Sequence, residues 1–191
     1  MIHVPMEPMS SSIDPGPLAL REGMSEESIV LNLNNAFKSF EGYKGINNHM
    51  GSRLTKNPDA MRVVMDALAQ RDLLFVDSKT SAQSVAADMA AARGLRYGQR
   101  DVFLDHEDTP EFVASALRQM ERIAHRKGVA VGIGHPKKNT ITALRRWLPT
   151  LKDKNLTLVP VSEIVQRAPL KVGSENSQSP QRLQKIEPAT Y

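Results

Sequence analysis

Val129-Ala130-Val131-Gly132-Ile133-Gly134-His135 is a continuous β-rich run that ends in an imidazole. It suits a strand covered on both faces, as in parallel sheets flanked by helices. Three other segments close in the same way: Gly45-Ile46-Asn47-Asn48-His49, Leu73-Leu74-Phe75-Val76-Asp77 and Val102-Phe103-Leu104-Asp105. Helical patterns separate them at roughly the 30-residue spacing of a βα unit. The carboxyl ends of parallel strands open on one face, so His49, His135, Asp77 and Asp105 are expected to meet at one mouth.

The intervening helices carry their own start and stop signals. Ser25 is a cap before Glu26-Glu27, with Ile29, Leu33, Ala36, Phe37 and Phe40 on one apolar face. Asn57-Pro58 opens a second helix, with Met61, Val64, Met65 and Leu68 inward. An alanine-rich helix runs over Ser84 to Arg93 and stops at Gly94, and Thr109-Pro110 starts the longest helix, which Gly128 ends. Thr140 to Leu151 is a further helix with Ile141, Leu144, Trp147, Leu148 and Leu151 inward. Short strands are expected at Ile2 to Val4 and at Leu156 to Val159.

A chain of 191 residues can bury one substantial core, so the reading is one domain over 1–166 and a disordered tail over 167–191. No apolar run approaches the ~20 residues of a membrane-spanning helix, and the N-terminus lacks the basic-then-apolar order of an export signal. Net charge is +4; Lys137-Lys138, Arg145-Arg146 and Lys152 to Lys154 are the densest basic clusters and read as solvated helix ends and loops, and aromatic residues make up only 5%. Bases would find few stacking platforms, so a nucleic-acid partner is not expected. The absence of cysteine excludes disulfides and thiolate chemistry.

Asn47-Asn48-His49-Met50-Gly51-Ser52 puts amides, an imidazole, a hydroxyl and a permissive glycine directly after a strand. Neutral imidazole ligates zinc and similar ions, whereas amides orient a bound carbonyl or hydroxyl. Asn47, Asn48 and Ser52 are therefore candidate substrate-binding residues, and His49 is either a ligand or a loop-capping side chain. His135, between Gly134 and Pro136, can serve as general acid, as metal ligand or simply as a brace for its loop. Asp77 and Asp105 can bind metal, activate water or orient a histidine, or else cap the helices that follow them. Arg100 can hold a substrate oxyanion or form a surface ion pair with Asp101. His3 and His125 receive no role. No phosphate-binding glycine loop or nucleophile elbow appears, so a water-activating metal hydrolase fits these residues better than covalent catalysis.

With these residues in view, the chain resembles the divergent polysaccharide deacetylase family. The resemblance spans nearly all of Ile2 to Val165. It rests on six ordered segments: His3-Val4-Pro5-Met6-Glu7-Pro8, Asn47 to Ser52, Phe75-Val76-Asp77-Ser78-Lys79-Thr80, Arg100-Asp101-Val102-Phe103-Leu104-Asp105, Ile133-Gly134-His135-Pro136 and Leu158-Val159-Pro160-Val161-Ser162. It implies an α/β fold built as a distorted, incomplete (β/α) barrel of parallel strands. It also implies a role in carbohydrate metabolism, a divalent metal with Zn²⁺ first among the choices, and hydrolysis of an acetamide or related bond on a glycan or peptidoglycan-derived substrate. Under it His49 and His135 stand as metal ligands, with His135, Asp105 and Asp77 as catalytic groups. Family members carry a strand ahead of the His3 segment that ends in an acidic pair, and they are usually periplasmic or otherwise extracytoplasmic. The expectation is thus of an N-terminally truncated member. The competing reading is a non-catalytic glycan-binding or envelope-interaction domain that retains the fold.

Overall fold

The computed structural model describes residues 1–167, with only the backbone given for the last two. In chain order the elements are β1 (Ile2–Met6), α1 (Glu26–Phe37), β2 (Gly45–Met50), α2 (Pro58–Ala69), β3 (Leu74–Asp77), α3 (Ala86–Ala91) and β4 (Arg96–Gln99). They continue with β5 (Val102–Phe103), α4 (Pro110–Lys127), β6 (Gly132–Ile133), α5 (Lys138–Trp147), α6 (Val161–Ile164) and β7 (Gln166–Arg167). Local chemistry sets the helix starts. The Ser25 hydroxyl accepts from the Ser28 N–H at 3.2 Å, the Asn57 side chain from Ala60 at 3.0 Å and the Thr109 hydroxyl from Phe112 at 3.2 Å. Each occupies one of the donors a helix leaves free at its first turn. Gly128 ends α4 at φ +81, a left-handed conformation that a Cβ disfavours.

The result is an α/β fold with parallel strands and an open, incomplete barrel. The main sheet has the order β1-β2-β3-β4-β7, in which all neighbours are parallel except the antiparallel β4–β7 edge pair. β5 and β6 pair in parallel as a separate two-stranded sheet. Ile2, Val4, Met6, Ile46 and Phe75 face α1 and α2, whose Ile29, Leu33, Met61, Val64, Met65 and Leu68 complete the main core. A second cluster joins Val102 and Leu104 to Val113, Ala116, Leu117 and Ile123 of α4.

Several expectations change here. The strand read at Leu156 to Val159 does not form, and Leu158 is 69% exposed. A strand that sequence reading missed, β4, joins β3 instead. Its Arg96-Tyr97-Gly98-Gln99 lacks an apolar run, but Tyr97 lies opposite Phe75 with the rings stacked at 6.4 Å. The Val129–Ile133 strand shortens to two half-buried residues, with Val129 exposed, because β5 is its only sheet neighbour among the described residues. Ile141 and Leu148, read as inward, are exposed along the rim of an apolar groove of about 500 Å³ between α5 and β6. Phe40 falls beyond the end of α1 and is also exposed. Arg167, placed at the start of the tail, pairs with Arg96; the rest of that tail lies outside the described residues.

Gly45 is where the main sheet is tightest. A Cβ there would overlap the carbonyl oxygen of Leu74 on the neighbouring strand, and backbone in the middle of a sheet cannot yield cheaply. Gly45→Ala is expected to cost about 3 kcal/mol, at the upper end for an overpacked core, and to lower the melting temperature by several degrees. Thermal unfolding followed by circular dichroism tests this; an unchanged midpoint would show that β2 and β3 have room to separate.

Candidate active site at the strand ends

Strand alternation sorts the candidates before any side-chain contact is considered. The β1–β2 register pairs His3 with Asn47 and Pro5 with His49, so His3, Asn47 and His49 share the sheet face opposite Ile2, Val4 and Met6. His49 Nδ1 lies 3.1 Å from His3 Nε2, and the two rings meet edge to face at 4.9 Å. Partial burial of the ring lowers the His3 pKa, a hydrogen bond that the ring donates to the Asn47 side chain offsets part of that, and His49 and His135 press it down further. A neutral ring, the form that ligates metal, is thereby favoured at neutral pH. His3 was given no role from sequence because it sits inside a strand, not at its end. The available signal was a polar residue alternating with three apolar ones.

His135 belongs to a different arrangement. The Asp105 carboxylate is 1% exposed and accepts the His135 backbone N–H at 2.6 Å and the Thr140 hydroxyl at 3.0 Å. Its other oxygen lies 3.1 Å from His135 Nδ1. Burial alone would push the Asp105 carboxyl up, yet the hydrogen bonds from His135 and Thr140 hold it below the usual aspartate value. An ionised carboxylate only accepts, so Nδ1 carries the ring proton toward Asp105 and Nε2 is left facing outward. The ring is half exposed and packs edge to face on Phe103 at 5.6 Å. The order carboxylate, Nδ1–H, free Nε2 orients a proton-transfer group.

Asp77, expected among the catalytic groups, lies elsewhere. Ile46 pairs with Phe75 and Asn47 with Val76, so Asp77 follows Phe75 onto the helix-packed face, away from His49. It is fully buried, with Oδ1 accepting the Lys79 N–H at 2.7 Å and Oδ2 making no hydrogen bond among the described residues. Burial and then the Asp77 charge push the Tyr97 phenol well above its ordinary pKa. Asp77 therefore shapes the turn after β3 and does not line the cavity.

Of the expected substrate-binding residues, Asn48 is also fully buried, and its amide is occupied. Its oxygen accepts the Ser78 N–H at 2.8 Å and its nitrogen donates to the Met50 carbonyl at 2.7 Å. This bracing holds Met50 and Gly51 in left-handed conformations at φ +55 and +91, which turn the chain sharply after β2. Ser52 accepts the Met9 N–H at 2.9 Å, outside the cavity. Asn47 supports His3 and donates to the Ser78 hydroxyl at 3.2 Å. Arg100 lines the cavity and makes no ion pair with Asp101, which pairs with Lys127 at 2.9 Å.

The cavity that gathers His3, His49, His135 and Arg100 has a volume of about 410 Å³. A larger one of about 840 Å³ between α4 and α5 contains no histidine, so chemistry and not size selects the smaller. His3 and His49 are the right donor type for zinc, but a catalytic zinc site uses about three protein ligands. No group of three or more histidine, aspartate or glutamate side chains comes together as a metal cluster among the described residues. These two imidazoles alone thus fit an ion in kind but not in number.

Comparison with known proteins supplies the family. The sequence matches the family described as divergent polysaccharide deacetylase over residues 1–165. An uncharacterized protein of Haemophilus influenzae is 40% identical over 157 residues, covering 80% of this chain and 54% of that protein. The uncharacterized protein YibQ of Escherichia coli is 33% identical over 168 residues, covering 86% of this chain and 51% of YibQ. The crystal structure of the uncharacterized protein ATU2773 from Agrobacterium tumefaciens superposes with a TM-score of 0.83 at 31% identity, over 85% of this chain and 67% of the other. The chain spans about half the length of the curated relatives it matches. With a family match across nearly all of its described residues and relatives above 30% identity, this chain belongs to the divergent polysaccharide deacetylase family.

Proposed function

We propose that the chain carries the hydrolytic site of a metal-dependent carbohydrate deacetylase, acting on an acetamide or related bond of a glycan. The observation that carries this reading is the oriented His135–Asp105 pair, which opens onto the same cavity as the His3–His49 imidazole pair. Breaking an amide needs a proton for the departing amine, and His135 Nε2 is the free atom that can take one from the attacking water and pass it on. Asp105 keeps the ring in that orientation and stabilises its protonated form. His3 and His49 would hold a divalent ion, with Zn²⁺ the best match to two imidazoles. When bound, such an ion supplies Lewis-acid polarisation of a carbonyl and a more acidic water. Asn47 keeps the His3 ring in place for this role.

The shortage of protein donors favours one second reading, a glycan-binding domain without turnover. Calorimetric titration of Zn²⁺ into the purified protein, together with acetate release from N-acetylated chito-oligosaccharides, separates the two. The hydrolase reading expects ion binding and ion-dependent acetate. Sugar binding with neither of these would leave the binding domain.

A further inference from the structure

Charge is spread unevenly along this chain. Residues 110–155 hold ten lysines and arginines against three aspartates and glutamates, whereas residues 1–109 hold eleven against fifteen. The fold gathers that excess on two neighbouring helices. On α4, Arg118, Arg122 and Arg126 recur every four residues and are all exposed, which sets them in one row along the helix. On α5, which contains no acidic residue, Lys138, Arg145 and Arg146 are exposed as well. Ala143, Leu144 and Trp147 seat α5 on the cluster built around α4, and Arg118 and Arg146 line the same cleft between the helices. Glu121, one of the three acids, is taken up by the Trp147 indole at 2.6 Å and Lys154 at 2.5 Å.

Helix dipoles explain only part of this placement. They favour the basic last turns of both helices, but Arg118 stands in the middle of α4, and Lys138 opens α5 where the dipole disfavours a cation. None of these six cations lines the cavity of His3, His49 and His135, so the surface is separate from that site.

Five of the six are arginines, whose planar forks pair with phosphate oxygens. Nucleic acids and phospholipid bilayers both present phosphates in that density. The neighbours of the cations choose between them. No aromatic side chain of α4 or α5 is exposed, which leaves bases nothing to stack on. Apolar side chains stand at the border instead: Leu148, one turn beyond Arg145, is 40% exposed, and Val129, just past the end of α4, is 38% exposed. Cations bordered by small apolar groups suit the boundary between lipid headgroups and acyl chains.

We propose that the α4–α5 face docks on the surface of an anionic phospholipid bilayer. Sedimentation of the full chain with vesicles of mixed phosphatidylglycerol and phosphatidylcholine tests it. Binding is expected to these vesicles at low salt, to fall steeply as salt screens the charges, and to be absent with phosphatidylcholine alone. A cation near such a surface is worth about fivefold in affinity, so Arg122→Gln, Arg126→Gln and Arg145→Gln together should weaken binding about 100-fold. Arg21→Gln, Lys38→Gln and Lys44→Gln together remove the same charge from exposed positions outside the two helices and should leave binding within a few-fold. Trp147 is the only tryptophan of the chain and lies in the α4–α5 cleft, so its energy transfer to a dansylated lipid reports which face is down. Strong transfer is expected.

Equal binding to phosphatidylcholine alone overturns the proposal, and so does equal weakening by the two triple variants. Bound protein without energy transfer overturns it too, because another face would then be docked. Capture of duplex DNA with the vesicles left free would assign the face to nucleic acid instead. All six replaced side chains are exposed, and the lipid preference and energy transfer of the unaltered chain decide the matter even if a variant fails to fold.

Discussion

Asp105→Asn is expected to lower acetate release by about 10²–10⁴-fold, the usual contribution of an oriented proton-transfer group. The buried carboxylate accepts three hydrogen bonds, from the His135 ring, its backbone N–H and the Thr140 hydroxyl. An asparagine presents a donor where one of those donors now points. If the amide nitrogen faces the ring, Nδ1 must accept, the proton moves to Nε2, and the imidazolium loses its counter-charge; the same exchange in a serine-protease triad costs about 10⁴. Loss of charge-assisted bonds also removes about 2 kcal/mol of stability. The pH dependence separates this from a general weakening of the fold. Because the native Asp105 pKa lies below its unfolded value, its stabilisation is complete above about pH 4 and is lost as pH falls through the lower native value. Asp105→Asn should lack that component of the acid limb. A variant retaining near-normal turnover at pH 7 would remove His135 from the chemistry.

His3→Ala and His49→Ala are each expected to abolish ion-dependent acetate release and to weaken Zn²⁺ binding by more than about 100-fold. Partners that merely orient a metal-bound histidine are worth about 10–100-fold, so a donor itself should exceed that. Asn47→Ala, which removes the support to His3 and the bond to the Ser78 hydroxyl, should fall within that smaller range. His3 is exposed, so its replacement should leave stability within about 0.5 kcal/mol, and loss of ion binding at an unchanged melting temperature distinguishes ligation from folding. Equal Zn²⁺ affinity in His3→Ala and the unaltered chain would show that the 3.1 Å approach of the two rings has no part in holding an ion.

His3 also shows where one-dimensional reading falls short. It sits in a terminal strand and not at a strand's carboxyl end, and parallel pairing sets it opposite Asn47 and turns both to the face of His49. Asp77 is the reverse case. It closes β3 in the expected place, but a period of two sends it to the helix-packed side with Phe75, where its charge acts on Tyr97 and not on a substrate.

Elements with strong local causes were legible without coordinates. Ser25, Asn57, Thr109 and Gly128 start or stop helices through their own side chain or backbone freedom, and α2 and α4 carry their apolar spacing within a few turns. Elements that owe their form to a distant partner were not. Arg96-Tyr97-Gly98-Gln99 becomes a strand only because β3 offers it a ladder, and Leu156 to Val159, with better strand residues, finds none.

Sequence alone therefore determined the α/β architecture, the main helix boundaries and the placing of His49 and His135 at strand ends, because apolar periodicity, caps and strand order are properties of the chain itself; the family followed from the six motif segments. Only the tertiary structure decided that His3 joins His49, that Asp105 holds His135, that Asp77 leaves the site and that Arg100 lines the cavity while Asp101 pairs with Lys127. Those outcomes depend on strand register and on which hydrogen-bond partner is nearest in space, and neither is set by any single segment.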